Sequence, residues 1–342
     1  MVDLEGTAIS EIEKNLLLKP EVGGIILFTR NFESIEQLTT LVEEIHQLRT
    51  PKLLIAVDHE GGRVQRFHQG FSRIPAAAMY ARSAKNDLQK SRQLAENAGW
   101  LMAVELRACG IDFSFAPVLD LAHGLSGVIG DRAFHRKPAT VATLAYAFMH
   151  GMNKAGMQAV GKHFPGHGGV VEDSHMAMPV DHRELDELLH SDIKPFEKMI
   201  ENKLAAIMPA HVIYDKVDDK PAGYSSFWIE NILRQRFGFQ GAVFSDDLSM
   251  VAAGVAGGFG ERAQAALTAG CDMALVCNHL QGACEAAEYI KGYNNPTSQL
   301  RLIRMHGEKE FSWTQLRQDE HWQRVSLQIT ALNDSPEFEM DV

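Results

Sequence analysis

Residues 162–175 read KHFPGHGGVVEDSH. Three histidines, a lysine and two acids share this short stretch with Pro165, Gly166, Gly168 and Gly169. Two chemistries compete for it. A zinc site would use His163 and His167, four residues apart, together with His175. The i, i+4 histidine pair that holds zinc is a helical motif, and proline and glycine at these positions oppose a helix, so no metal is expected. The other chemistry is proton transfer. Asp173 precedes His175 by two residues. A carboxylate bonded to one ring nitrogen fixes the tautomer and raises the imidazole pKa. The second nitrogen is then left to give and take a proton. On the residues alone, such a pair is either catalytic or a polar contact within a loop.

Two other stretches carry suitable groups. In FSDDLSM (244–250), Asp246 and Asp247 are adjacent. Neighbouring strand residues point to opposite sides, so one acid can serve a site while the other caps the next helix. In DHEGGRVQR (58–66), Asp58 and Arg66 flank a Gly61-Gly62 turn. A carboxylate accepts from hydroxyls and a guanidinium donates in a planar fork, which suits a polar ligand. A structural ion pair across the loop is the plainer reading.

These residues need a frame that gathers them. Nearly continuous apolar runs recur at 23–28, 52–57, 111–118, 157–163, 204–210, 241–245 and 272–277. Such runs fit strands buried on both faces, as in a parallel sheet. Helical patterns lie between them at 34–48, 91–109, 138–155, 184–201, 228–237 and 261–270. Residues 2–4 supply an eighth strand, expected to be short or frayed, and 312–332 predict one closing helix. Eight alternating units predict an α/β (β/α)8 TIM barrel. No low-complexity linker divides the chain, so residues 1–342 read as a single domain with a helical extension from about 300. In a barrel the functional groups follow the strands on one mouth. Asp58, Asp120, Lys162, His163, His211 and Asp246 all stand at such positions.

Composition narrows the partners. With 33 Lys and Arg against 44 Asp and Glu, the formal net charge is -11, which opposes a broad nucleic-acid footprint. No basic leader precedes an apolar run and no apolar stretch approaches membrane-spanning length, so a cytoplasmic protein without membrane partners is expected. Cys109, Cys271, Cys277 and Cys284 include no C-x-x-C pair and read as reduced thiols. Nothing specifies the oligomeric state; a monomer is the expectation.

Taken together and in this order, DHEGGRVQR, GDRAF (130–134), KHFPGHG, DSH (173–175) and FSDDLSM resemble glycoside hydrolase family 3. More narrowly, they are similar to its bacterial cytoplasmic β-N-acetylglucosaminidases of cell-wall recycling. The resemblance runs from about residue 2 to about 300. It implies a retaining mechanism, with Asp246 as the nucleophile and His175, oriented by Asp173, as general acid and then base. It also implies sugar-binding roles for Asp58, Arg66, Arg132, Lys162 and His163. It implies no metal and no organic cofactor. The implied substrates are muropeptides that carry terminal N-acetylglucosamine, and a β-glucosidase or a glycoside phosphorylase is the alternative on the same scaffold. The glycine-rich loop that bears His175 is expected to move, and His167 to support its bend.

Overall fold

The structure, a computed structural model, describes residues 1–171, 174, 177–308 and 312–334. Asp173 and His175, and with them the expectation of a moving loop, lie outside the described residues. In chain order the strands are β1 Gly24–Leu27, β2 Leu54–Val57, β3 His59–Gly61, β4 Val64–Gln65, β5 Phe113–Ser114, β6 Val160–Phe164, β7 Val180–Asp181, β8 Ala206–Pro209, β9 Ile213–Tyr214, β10 Ala242–Asp247 and β11 Met273–Leu275.

Seven of these occupy the predicted apolar runs. They form two parallel sheets, ordered β1-β2-β5 and β11-β10-β8-β6. On one side, Ser114 bridges Ala159 and Val118 bridges Lys162, so β5 lies beside β6. On the other, Val2 bridges Ile25, and Val276 N donates to the Met1 carbonyl. The N-terminal segment therefore lies between β1 and β11, and the eighth strand is reduced to one bridge.

The strands bury both faces because helices cover them outside and large side chains fill them inside. Phe113, Phe115 and Phe244 meet at centroid distances of 5.2–5.5 Å. Their rings plug the interior, and truncating such a side chain costs about 3–5 kcal/mol. Phe244 belongs to this layer, and Asp246 follows two residues on, where the β10–β11 register shifts between Phe244 and Asp247.

Most helices match the predicted spans. Ser34 caps helix Ile35–Gln47 through Gln37 N, and Asp87 caps helix Leu88–Ala108 through Lys90 N. Two expectations need correction. The single helix over 184–201 is divided into Leu185–His190 and Ile193–Glu201. Pro195 has no N–H to offer the Ser191 carbonyl and its ring would strike it, so the helix restarts. The single closing helix is divided into Trp313–Gln318 and Glu320–Thr330, where Asp319 turns to cap the second piece through Trp322 N. The 228–237 pattern forms a wide helix, Phe227–Arg236, with an i→i+5 bond from Phe237 N to the Ile232 carbonyl. Among the described residues no helix is long and apolar enough to cross a membrane.

Candidate active site

The C-terminal ends of the seven main strands open on one cavity of about 550 Å³. Its walls include Phe28 beyond β1, Asp58 beyond β2, Phe115 beyond β5, Lys162 and His163 in β6, Met208 in β8, Asp246 in β10 and Cys277 beyond β11. Arg66, Arg132 and Asp247 complete the charged lining with Glu60 and Arg63. All the sequence-predicted site residues that are described meet there.

The β2 end and the β3–β4 hairpin supply the first group. Gly61 and Gly62 have φ values of 106° and 57°, a left-handed pair that only glycine adopts cheaply. This tight turn brings Arg66 back to Asp58, at 3.5 Å. The ion pair across the loop and the lining of a polar cavity are therefore both present. Lys162 reaches between two acids, 2.8 Å from Asp58 Oδ1 and 2.6 Å from Glu60 Oε1. Burial would lower the pKa of this ammonium, but Asp58 and Glu60 outweigh it and hold the pKa above its usual value. Arg132 grips Glu60 in a fork, Nε at 2.8 Å and Nη2 at 2.7 Å. Burial opposes the Glu60 charge, yet Arg132 and Lys162 hold its pKa well below the usual range.

Glu60 was not singled out from the sequence. It stands inside DHEGGRVQR, but its partner Arg132 is 72 residues away. In the sequence Asp120 is a polar residue at a strand end, with no partner marked nearby. It is wholly buried and bonds both His163 and His167. His167 lies against Ser174 Oγ at 3.3 Å, and burial and the neighbouring His163 lower its pKa. His163 and His167 ring centroids are 6.0 Å apart. Among the described residues no His, Cys, Asp and Glu group is placed to hold a metal ion.

The adjacent acids of β10 differ sharply. Asp247 Oδ1 accepts from Ser249 N at 2.9 Å and Cys277 N at 3.1 Å, and Oδ2 from Ser249 Oγ at 2.6 Å. Burial still raises its pKa to about 6. Asp246 accepts from Asp247 N at 2.8 Å, its one donor bond among the described residues. Burial pushes its pKa up, but His211 and His163 more than offset this and hold it below the ordinary value. Asp246 is therefore an ionised carboxylate with an oxygen left for the cavity. His211, just beyond β8, places Nε2 3.1 Å from the Asp247 carbonyl.

Comparison with known proteins places this geometry. Residues 1–300 match the glycosyl hydrolase family 3 N-terminal domain. The beta-hexosaminidase of Thioalkalivibrio sulfidiphilus is 59% identical over 342 residues, covering 100% of this chain and 98% of that one. The beta-hexosaminidase of Hydrogenovibrio crunogenus is 54% identical over 335 residues, 98% of this chain and 94% of its own. The crystal structure of NagZ from Neisseria gonorrhoeae in complex with N-trifluoroacetyl-D-glucosamine superposes with a TM-score of 0.92 at 46% identity, covering 97% of each chain. The strand–helix alternation is that of the TIM-barrel-like fold these proteins share. The chain belongs to glycosyl hydrolase family 3.

Proposed function

We propose that this β-N-acetylhexosaminidase removes terminal, non-reducing β-linked N-acetylglucosamine with retention of configuration, through a glycosyl-enzyme on Asp246. The observation that carries the assignment of the nucleophile is the contrast within β10: Asp247 is held on both oxygens by three fixed donors, while Asp246 takes one among the described residues and keeps an oxygen free for the cavity. A rigid strand end aims it.

In the first step Asp246 attacks the anomeric carbon as the glycosidic bond breaks, and His175 gives its proton to the leaving oxygen. In the second, water attacks that carbon, its proton passes to His175, and Asp246 departs. Asp173 holds the imidazole for both steps. Retaining enzymes usually pair two carboxyl groups; here a histidine takes the acid/base role.

Asp58, Arg66, Arg132, Lys162 and His163 bind the sugar. Among the described residues four acids face four Lys and Arg side chains around the cavity, a balance suited to a neutral, hydroxyl-rich ligand. Its volume is in the range of small-ligand sites. The natural substrates we propose are muropeptides ending in N-acetylglucosamine-anhydro-N-acetylmuramic acid, met in the cytoplasm during cell-wall recycling by a monomeric, single-domain enzyme without metal or cofactor.

The test compares an aryl β-N-acetylglucosaminide with the matching aryl β-glucoside, each with and without phosphate. Preferential turnover of the first, independent of phosphate and releasing the β-anomer first, is expected. Preference for the glucoside, or a requirement for phosphate, would replace this reading with the β-glucosidase or the phosphorylase.

A further inference from the structure

His163 is held more firmly than a wall residue needs to be. Its Nδ1 lies 2.7 Å from Asp120 Oδ2. Its backbone N lies 3.2 Å from the same oxygen and 3.3 Å from Oδ1. His167 N donates to Oδ1 at 2.6 Å. One carboxylate, brought from beyond β5, thus staples the end of β6 and grips a ring 43 residues away. Asp120 is wholly buried and is not among the residues lining the cavity, so it does not touch the sugar.

The backbone N–H groups of His163 and His167 both donate to the Asp120 carboxylate, which favours its ionised form. An ionised carboxylate only accepts, so the proton between the two groups is on Nδ1. In a neutral imidazole the other nitrogen is then a bare acceptor. We infer that Asp120 is a positioning residue that fixes His163 as the Nδ1–H tautomer, so that Nε2 meets the sugar as a hydrogen-bond acceptor. The inference rests on the sugar-binding role proposed above for His163. His167 provides the contrast: its Nε2 faces the Ser174 hydroxyl, which can donate or accept and so imposes no tautomer.

The arrangement makes Asp120→Asn informative. The His167 N–H cannot change its role, so the new carbonyl oxygen must stay where Oδ1 receives it. The new amide group then points its hydrogens at Nδ1. The cheapest relief is to move the ring proton, which leaves Nε2 a donor.

The experiment is nitrogen-15 NMR of histidine-labelled enzyme, with His163 identified by the signals missing from His163→Gln. In the wild type we expect a protonated Nδ1 and a bare Nε2, and in Asp120→Asn the reverse. In parallel, kcat/KM of Asp120→Asn on an aryl β-N-acetylglucosaminide should fall about 10–100-fold. Substrates with each ring hydroxyl replaced singly by fluorine, which accepts but cannot donate, supply the second readout. The position that faces Nε2 should be penalised in the wild type and less so in the variant. A proton on Nε2, or on both nitrogens, in the wild type overturns the inference. So do fluorine penalties that are unchanged in the variant, since a purely structural staple would slow every substrate alike. If Asp120→Asn fails to fold, the wild-type spectrum alone decides. If the wild type turns over no N-acetylglucosaminide, the functional reading fails while the spectrum still judges the tautomer.

Discussion

The two ends of the strands bury the same kind of residue for opposite purposes. At the N-terminal end, Asp272 immediately precedes β11. It accepts from Val243 N at 2.8 Å, Arg234 at 2.9 Å, Arg301 at 3.0 Å and Ser298 Oγ at 2.6 Å. Asp112 precedes β5 in the same way and accepts from Ile55 N at 2.8 Å and Gly307 N at 3.1 Å, with Arg107 at 3.6 Å. Each ties a strand to its neighbour and to the chain beyond residue 290. Asp272 has two donors on each oxygen, and Asp112 has a backbone donor on each with Arg107 alongside. At the C-terminal end, Asp246 is half-buried at the cavity wall, and among the described residues its carboxylate receives one backbone donor. Buried carboxylates alone do not mark a site. The mark is a half-buried carboxylate that the described residues leave short of donors, at the end of the barrel where barrel enzymes act.

The contrast predicts opposite outcomes for equivalent truncations. Asp246→Ala should lower turnover at least about a thousandfold and leave Tm unchanged or higher, because it removes a charge the fold does not satisfy. A fluorinated activated sugar should label Asp246 in the wild type, and labelling at Asp247 would reverse the assignment within β10. His175→Ala should cost about 10²–10⁴ on substrates with poor leaving groups and far less on activated aryl ones. Equal losses on both would reduce His175 to a binding residue. Asp272→Ala should do the converse. It strands Arg234, a buried partner, and should destabilise the fold by about 3–5 kcal/mol in denaturant unfolding, while KM of the folded enzyme stays the same. A selective rise in KM would break the division between the two ends.

Much of the mouth was legible in the sequence because position on a strand is a local property. Apolar runs mark the strands, and the places of Asp58, Lys162 and Asp246 are given by where those runs stop. Helix lengths were less legible where one residue decides: Pro195 interrupts an amphipathic pattern that otherwise reads as continuous, and Asp319 stops a helix in order to cap the next. Val2 pairs by a single bridge, in keeping with the short or frayed strand expected at residues 2–4. The partners of the site residues were least legible. Glu60 with Arg132, and Asp120 with His163, are pairs set by which strands are neighbours, and nothing local to either member names the other. Asp112 and Asp272 carry the same difficulty at the other end, since an aspartate before a strand reads as a turn residue until its neighbour's N–H is seen to point at it.

Asp247 tests the comparison most finely because it stands between the two kinds. Like Asp272, it has fixed donors on both oxygens; unlike Asp272, it has no ion pair with a cation among the described residues. The consequence is a difference in charge state. Burial lifts the Asp247 pKa to about 6, above the value near 4 of an unfolded aspartate. The folded chain therefore keeps a proton that the unfolded chain has released between those two values. Stability from this group is present at low pH and lost as pH rises through that window. Above it the ionised carboxylate costs about 2–3 kcal/mol. Asp247→Asn should remove this dependence without a bonding penalty: the amide oxygen keeps the two backbone donors, and the amide nitrogen can donate to a rotated Ser249 hydroxyl. Unfolding free energies of wild type and variant should converge near pH 4, and the variant should be the more stable at pH 8. A difference that does not change with pH would mean that Asp247 is charge-compensated like the acids at the far end. Its donors alone, without a neighbouring cation, would then suffice to hold a buried carboxylate ionised.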